Sequence, residues 1–431
     1  MFKNAKFARY SIMLMLLGVC FMFFYSGLQN DHINILTPYL AQTYGWDDLK
    51  ITNPVTYGAL VVIILYLIIG AAFVKYGVKK ILLPSIVLLA LGCFGIALAG
   101  ENYSLYFVSL FIVRIMVVPL QMGGFMLAAN WFIKYRGRVL GIVTIGSPLF
   151  SIVGISALTA VANSIGLKAA YMAIAASLIL IGALVALCIK DTPEDAGLFP
   201  DGADQAPYSE ADQDAEPVTL KSILTDSRAW KLIISYGILQ FVIVAMMAYM
   251  AVRYITLSTP EDVPNLFVSK ALFWLSIGAA AGIPMSYVLG YIDDKLGSIK
   301  ASLVLIVLYF FAVVPLAVMP VGGSVPLMAI WAFGVACMTG GMPTMHPCVT
   351  SYVYGRKQYM AANKWIMTIQ AIPMAFAIAF MGAFNQMGQL TNAYYILMVL
   401  LVIAFITVLT MRNIPDANAA DREYGKKEHT A

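Results

Sequence analysis

Twelve apolar runs, each long enough to cross a lipid bilayer, constrain this chain more than any single motif does. They lie at 11-41, 51-73, 80-99, 104-133, 139-163, 168-189, 230-257, 268-290, 299-319, 324-353, 360-385 and 392-411, and are numbered helix 1 to helix 12 in that order. A helix rises about 1.5 Å per residue, so about 20 residues cross the hydrocarbon layer. Lipid offers no partner to backbone N–H and C=O groups, so each run closes its hydrogen bonds on itself as a helix, and no sheet is expected. Composition agrees, with 61% of residues hydrophobic and 11% charged, against about 25% charged in a soluble domain. The fold class expected is all-α integral membrane, with twelve transmembrane helices in two pseudo-symmetric six-helix bundles.

The first run continues to residue 41 without a small-residue cleavage pattern, so it is read as helix 1 and not as a signal peptide. Basic residues gather on alternate loops: Lys3, Lys6 and Arg9; Lys75, Lys79 and Lys80; Lys134, Arg136 and Arg138; Lys295 and Lys300; Arg356 and Lys357; and Arg412. The positive-inside rule places both termini and these loops in the cytoplasm, and the plasma membrane is the expected location. The net charge of +5 belongs to these loops and implies no nucleic-acid partner. Cys20, Cys93, Cys188, Cys337 and Cys348 sit in apolar segments without metal-ligand spacing, so they read as packing residues. No metal and no cofactor are expected.

The expected domains are a first bundle over 1-190, an acidic linker over 191-229, a second bundle over 230-412 and a tail over 413-431. The linker carries Asp191, Glu194, Asp195, Asp201, Asp204, Glu210, Asp212, Asp214 and Glu216 before its first lysine, Lys221. Rich in Pro, Gly and charge, it reads as a solvated connection, with a regulatory tail as the other reading. SILTDSRAW, before helix 7, is expected along the membrane surface.

The halves repeat each other. After helix 2 stands Gly70-x-x-x-Val74-Lys75-x-Gly77-x-Lys79-Lys80, and after helix 8 stands Gly290-x-x-x-Asp294-Lys295-x-Gly297-x-x-Lys300. YRGRVLG before helix 5 and YGRKQYM before helix 11 form a second pair. A duplicated bundle of this kind implies a transporter whose site lies at the repeat interface near the midplane.

On these loop motifs the whole chain resembles the major facilitator superfamily, whose loop signature is G-x-x-x-D-[RK]-x-G-x-[RK]-[RK]. The helix 8-9 loop departs from it only at Ile299, whereas the helix 2-3 loop has Val74 at the acidic place. The resemblance implies that this acid joins a charge network latching the cytoplasmic gate, a role open to Asp294 and lost at Val74. TYGW at the end of helix 1, NWFIKYRGRVLGIVTIGSP, DTPEDAGLFPDG and YGRKQY resemble the organic-anion branches, including the oxalate/formate antiporter and monocarboxylate group. Oxalate exchangers imply a lysine midway along helix 11, where Gln370 stands here, which argues against a dianion held by two fixed cations.

The polar stretch Gln29-Asn30-Asp31-His32-Ile33-Asn34 lies inside helix 1, where ionisable groups are expensive. Counting rise per residue puts Asp31 and Arg114 at the same depth, so they are expected to pair or to share a water-filled cavity. LFIVRIMVVPLQMGG also resembles the superfamily's arginine-centred helix 4 motif, with Val117 and Val118 at its polar and glycine places. Asp31 reads as a proton-coupling carboxylate or as one end of a static ion pair. Superfamily sugar porters coupled to protons imply a similar acid facing a helix 4 arginine. His32 reads as a second titrating group or as a neutral hydrogen-bonded residue.

Asn30 and Asn34 share one helix face and would bind substrate or bridge helices. Gln121 extends the Arg114 stripe, and the second half offers Gln240, Tyr249, Thr339 and Gln370 as substrate ligands. GGMPTMHP would loosen helix 10 into cavity-lining backbone or pack it closely. Helix 10 also offers Gly340, Gly341, Thr344 and His346, the last too near the inner end to meet Asp31. Trp274, Trp331 and the methionines read as bundle core, with an apolar substrate wall as the other reading; GSP at 146-148 partly matches an antiporter motif, and Arg253 and Lys270 at the outer mouth read as helix anchors or as groups that steer anions in.

No H-E-x-x-H, G-x-S-x-G or P-loop is present, so no enzyme activity is expected. The expected function is secondary active transport of a small, monocarboxylate-like organic anion, by proton symport or anion exchange, in a chain working as a monomer in the bilayer. A proton-coupled transporter of a neutral polyol or sugar-like solute is the alternative, followed by a non-transporting sensor on the same fold.

Overall fold

The structure is a computed structural model that describes residues 4–203, 218–257 and 264–419. Helix 1 comprises Ala5–Ser26, a π-helical turn Gly27–Asp31 and Ile33–Tyr44. Helix 2 is Asp48–Tyr76, helix 3 Val78–Ala99, and helix 4 joins Tyr103–Met116 to Val118–Trp131. Helix 5 runs through Arg136–Thr144, Gly146–Leu149, a second π-helical turn Phe150–Gly154, and Ile155–Ile165. Helix 6 is Leu167–Cys188, helix 7 Ser227–Thr256, helix 8 Pro264–Leu296, helix 9 Ser298–Val318 and helix 12 Leu390–Leu409.

Eleven spans among the described residues are long and apolar enough to cross a membrane, and one of them, Val325–Gln386, is 62 residues long. This run turns back at Gly355, whose φ of 72° lies outside any right-handed helix. His346 before the turn and Gln370 after it share a 2.9 Å hydrogen bond, so the chain reverses and the run supplies both helix 10 and helix 11. Twelve crossings result, as the hydropathy predicts.

Each half has its own apolar core. The duplicated loops also share a conformation: Gly77 has φ 86° and ψ 166°, and Gly297 has φ 83° and ψ 153°. A side chain at either position would be strained, which is why glycine recurs there. The other repeated glycines let the halves touch. A Cβ on Gly70 would collide with the Lys364 stem, and one on Gly290 with the Gly137 carbonyl.

The halves are fastened at the end that carries the basic loops. Asp294 accepts the Gly137 N–H at 2.9 Å and the Arg138 N–H at 3.3 Å, and pairs with Arg138 Nε at 2.9 Å. A carboxylate at a helix N-terminus meets both unpaired N–H groups and the positive end of the dipole. Arg136 is fully buried and donates to Ser351 Oγ at 2.6 Å, and Thr144 meets Thr344 at 2.8 Å. Val74, in the loop copy without an acid, is exposed. Lys75 and Lys295 lie over the rings of Tyr76 and Tyr291, while Lys79 Nζ donates to the Ala186 carbonyl.

The solvated-linker expectation fails over 191–203. Asp191 accepts the Lys79 N–H at 2.7 Å, Asp201 accepts those of Ile133 and Lys134 at 3.0 and 2.7 Å, and Leu198 is buried. Glu194 pairs with Arg356 of the other half at 2.7 Å. Composition registers these residues only as charge, whereas each finds a specific donor at a helix end or across the seam. Burial pushes the Asp201 carboxyl above its ordinary range, against its backbone hydrogen bonds, which pull it down. Asp204, Glu210, Asp212, Asp214 and Glu216 lie outside the described residues. Within SILTDSRAW, Leu220–Thr225 is a short helix with a Thr219–Ser222 capping box.

Candidate substrate cavity

Between the halves, level with the middle of the helices, lies a cavity of about 270 Å³. The first half contributes Tyr25 and Gln29 of helix 1, Val62, Ile63 and Tyr66 of helix 2, and Arg114, Gln121 and Phe125 of helix 4. The second half contributes Gln240 of helix 7, Met342, Pro343 and His346 of helix 10, and Met367, Ala371 and Met374 of helix 11.

The first-half wall carries a polar group built around Arg114, beside the apolar Val62, Ile63 and Phe125. Gly58 leaves room for its stem, since a Cβ there would lie 2.5 Å from Arg114 Cγ. The guanidinium donates to the Gln29 carbonyl. Tyr66 donates to Gln121 Oε1 at 3.5 Å, and Tyr25 lies within hydrogen-bonding range of both. Among the described lining residues Arg114 is the only guanidinium or ammonium group, and none is a carboxylate.

In the second half, Gln370 sits behind the wall and organises it. Its amide Nε2 donates to the Leu232 carbonyl at 3.1 Å, which turns Oε1 toward His346 Nε2 at 2.9 Å and Gln240 Nε2 at 3.3 Å. An acceptor facing His346 Nε2 requires that nitrogen to carry the proton. One buried amide thereby ties helices 7, 10 and 11 together.

The structure does not join Asp31 to Arg114. Asp31 accepts from Ser151 Oγ at 2.7 Å, and no ion pair links it to Arg114. The depth count assumes an uninterrupted α-helix, but the π-helical turn changes the angular phase of helix 1 at that point. Asp31 therefore faces the π-helical turn of helix 5, where Gly27 also packs against the Phe150 ring. His32 is buried on another face, with Nδ1 2.9 Å from the Tyr171 hydroxyl of helix 6.

Of the other sequence candidates, Arg114, Gln121 and Gln240 line the cavity and Gln370 supports it. Tyr249 instead packs on Gly382, and Thr339 donates back to the Val335 carbonyl at 2.8 Å. The side chains of Asn30, Asn34 and Lys270 lie outside the described residues. Helix 10 stays helical through GGMPTMHP, and Gly340 serves close packing against the Gly282 carbonyl. Arg253 donates to the Leu316 carbonyl at 2.9 Å near the end of helix 9, and Trp331 is core.

Sequence reasoning missed Tyr25 and Tyr66, and it ranked the methionines as core ahead of the cavity wall that Met342, Met367 and Met374 line. The available signal was Tyr25 and Gln29 at i and i+4, a pair of polar tips on one helix face.

A family model described as Major Facilitator Superfamily matches residues 19–369. The chain belongs to the major facilitator superfamily. It is a membrane transporter and not an enzyme. The superfamily fold also appears in similar solved structures. One is a transporter, FucP, in the outward conformation, at 16% identity over 93% of this chain and 99% of that one, with TM-score 0.66. A second is the E. coli fucose:proton symporter FucP, at 15% identity over 94% and 99% of the chains, with TM-score 0.65. A third is the proton:xylose symporter XylE bound to 6-bromo-6-deoxy-D-glucose, at 14% identity over 98% and 99%, with TM-score 0.71. At these identities the likeness is one of fold. No curated protein sequence matches the chain.

Proposed function

We propose that this superfamily member is a secondary active transporter of a small organic monoanion, working by proton symport or anion exchange through alternating access of its halves. The observation that carries the reading is Arg114 as the single cation among the described lining residues, none of which is a carboxylate. A planar guanidinium offers paired donors to a carboxylate, and such charge-assisted hydrogen bonds are strongest away from bulk water. A dianion would need a second cation, and the described second-half wall offers amide, imidazole and methionine instead. This agrees with the resemblance to the monocarboxylate group more than with the oxalate exchangers.

Asp31, bonded to Ser151 beside two π-helical turns, is the proposed proton-coupling group. It acts through the packing of helix 1 on helix 5 and not by releasing Arg114. A neutral polyol is the second reading, because Tyr25, Tyr66, Gln29 and Gln121 also suit hydroxyl groups.

Uptake into proteoliposomes under an imposed pH gradient tests both. Carboxylates are expected to accumulate or exchange, and Arg114→Gln to weaken their binding about 10- to 100-fold, from about 1.5–3 kcal/mol per hydrogen bond to a charged group. Asp31→Asn is expected to retain exchange and lose proton-driven accumulation. Flux of polyols without flux of carboxylates would overturn the anion reading, and unchanged proton-driven accumulation in Asp31→Asn would remove that residue from coupling.

A further inference from the structure

We infer that the uncharged part of the substrate is a hydrocarbon, aliphatic or aromatic, held against the methionine wall of helices 10 and 11 while its carboxylate faces Arg114. This inference rests on the organic-anion reading above. The two walls differ in chemistry and lie on opposite halves. Arg114, Tyr25, Tyr66 and Gln121 supply donors from the first half, whereas Met342, Met367 and Met374 face them from the second.

The two polar side chains of the second-half wall do not offset this. Gln240 and His346 each direct a donor to Gln370 Oε1, and Gln370 Nε2 is held by the Leu232 carbonyl. With Nε2 protonated, neutral His346 turns an acceptor nitrogen to its other side, and Gln240 keeps its own Oε1. A second carboxylate placed here would meet acceptors and no cation. A hydroxyl against the methionine side chains, beyond reach of the His346 and Gln240 acceptors, would leave water without a replacement partner, a net cost that a methylene does not incur. Thioether side chains are flexible and polarisable, so they fit chains of different length and shape. The expected selectivity is therefore graded with apolar surface, not sharply tuned to one length.

The test uses the purified full-length chain in detergent and reads ligand affinity from thermal stabilisation. The probes are acetate, butyrate and hexanoate, with ω-hydroxyhexanoate, adipate and hexanamide as partners matched in length to hexanoate. Affinity is expected to rise about fourfold per methylene from acetate to hexanoate. Hexanoate is expected to bind at least tenfold tighter than ω-hydroxyhexanoate or adipate. Met342→Gln and Met367→Gln are expected to flatten the chain-length series. Where a variant does not fold, the wild-type series decides by itself.

Equal affinity for acetate and hexanoate, or for hexanoate and its hydroxy analogue, overturns the hydrocarbon inference and leaves the anion reading intact. Hexanamide binding as tightly as hexanoate overturns the anion reading instead. If no carboxylate stabilises the protein, both fall.

Discussion

Replacing Asp294 by alanine removes the acceptor of two backbone donors across the seam, the Gly137 N–H and the Arg138 N–H, and the partner of an ion pair with the Arg138 guanidinium. The Asp294 side chain is 4% exposed and that of Arg138 23%, so the pair is nearer a buried ion pair than a surface one. Breaking a buried pair from one side costs about 3–5 kcal/mol, and the partial exposure of Arg138 favours the lower end. About 3 kcal/mol against the closed basic end shifts the closed-to-open ratio by about 100-fold.

Cys348 is a built-in reporter of that shift. It is fully buried in helix 10, where it packs into the apolar core formed mainly by the first half, on the far side of the seam. Its alkylation by a water-soluble maleimide, resolved from the other cysteines by peptide mass spectrometry, should accelerate by up to about 100-fold in Asp294→Ala. Asp294→Asn should fall between, because an amide oxygen still accepts the Gly137 N–H while the charge is lost. A lowered melting temperature with unchanged Cys348 labelling would refute the reasoning, since Asp294 would then add stability without holding the end closed.

Gly290→Ala drives a methyl group into the Gly137 carbonyl and should raise Cys348 labelling in the same way. Gly297→Ala, strained by about 1–2 kcal/mol at its φ of 83°, should lower stability without that signature. Equal labelling of the two variants would remove the Gly137–Gly290 contact from gate closure. Asp201→Ala leaves two backbone donors without their acceptor and should cost about 1–3 kcal/mol. Asp201→Asn keeps an acceptor and carries no charge. Because burial raises the folded-state pKa of Asp201, wild-type stability is lost as pH rises from the unfolded value through the folded one. The melting temperature of Asp201→Asn relative to wild type should therefore climb from about pH 4 and then level off; a flat or falling difference contradicts this assignment.

Some of the site was within reach of sequence and some was not. Arg114, Gln121 and Gln240 stand out because a polar group in an apolar run must face protein or water, and all three line the cavity. Methionines carry no such signal, since a Met in a bundle core and one in a substrate wall look alike. His346 is a helix 10 candidate whose depth excludes Asp31 as a partner; its partner is Gln370, reached through the turn at Gly355. Tyr249 and Thr339 have the right chemistry but point to Gly382 and to their own helix.

Hydropathy by itself determined the twelve crossings, because lipid forces every spanning segment to satisfy its own backbone. Spacing determined the duplication, because a glycine with positive φ leaves a local signature, and the resemblance to the superfamily pointed to Asp294 as the acid of the repeated loop. Tertiary structure decided which faces meet. Depth along a helix is linear in residue number and can be counted, but direction around the axis depends on phase, and one π-helical turn at Gly27–Asp31 took Asp31 to Ser151 while Arg114 went to the Gln29 carbonyl. The asymmetry of the cavity, with the polar group around Arg114 on one half and methionines on the other, exists only once the two bundles are packed face to face.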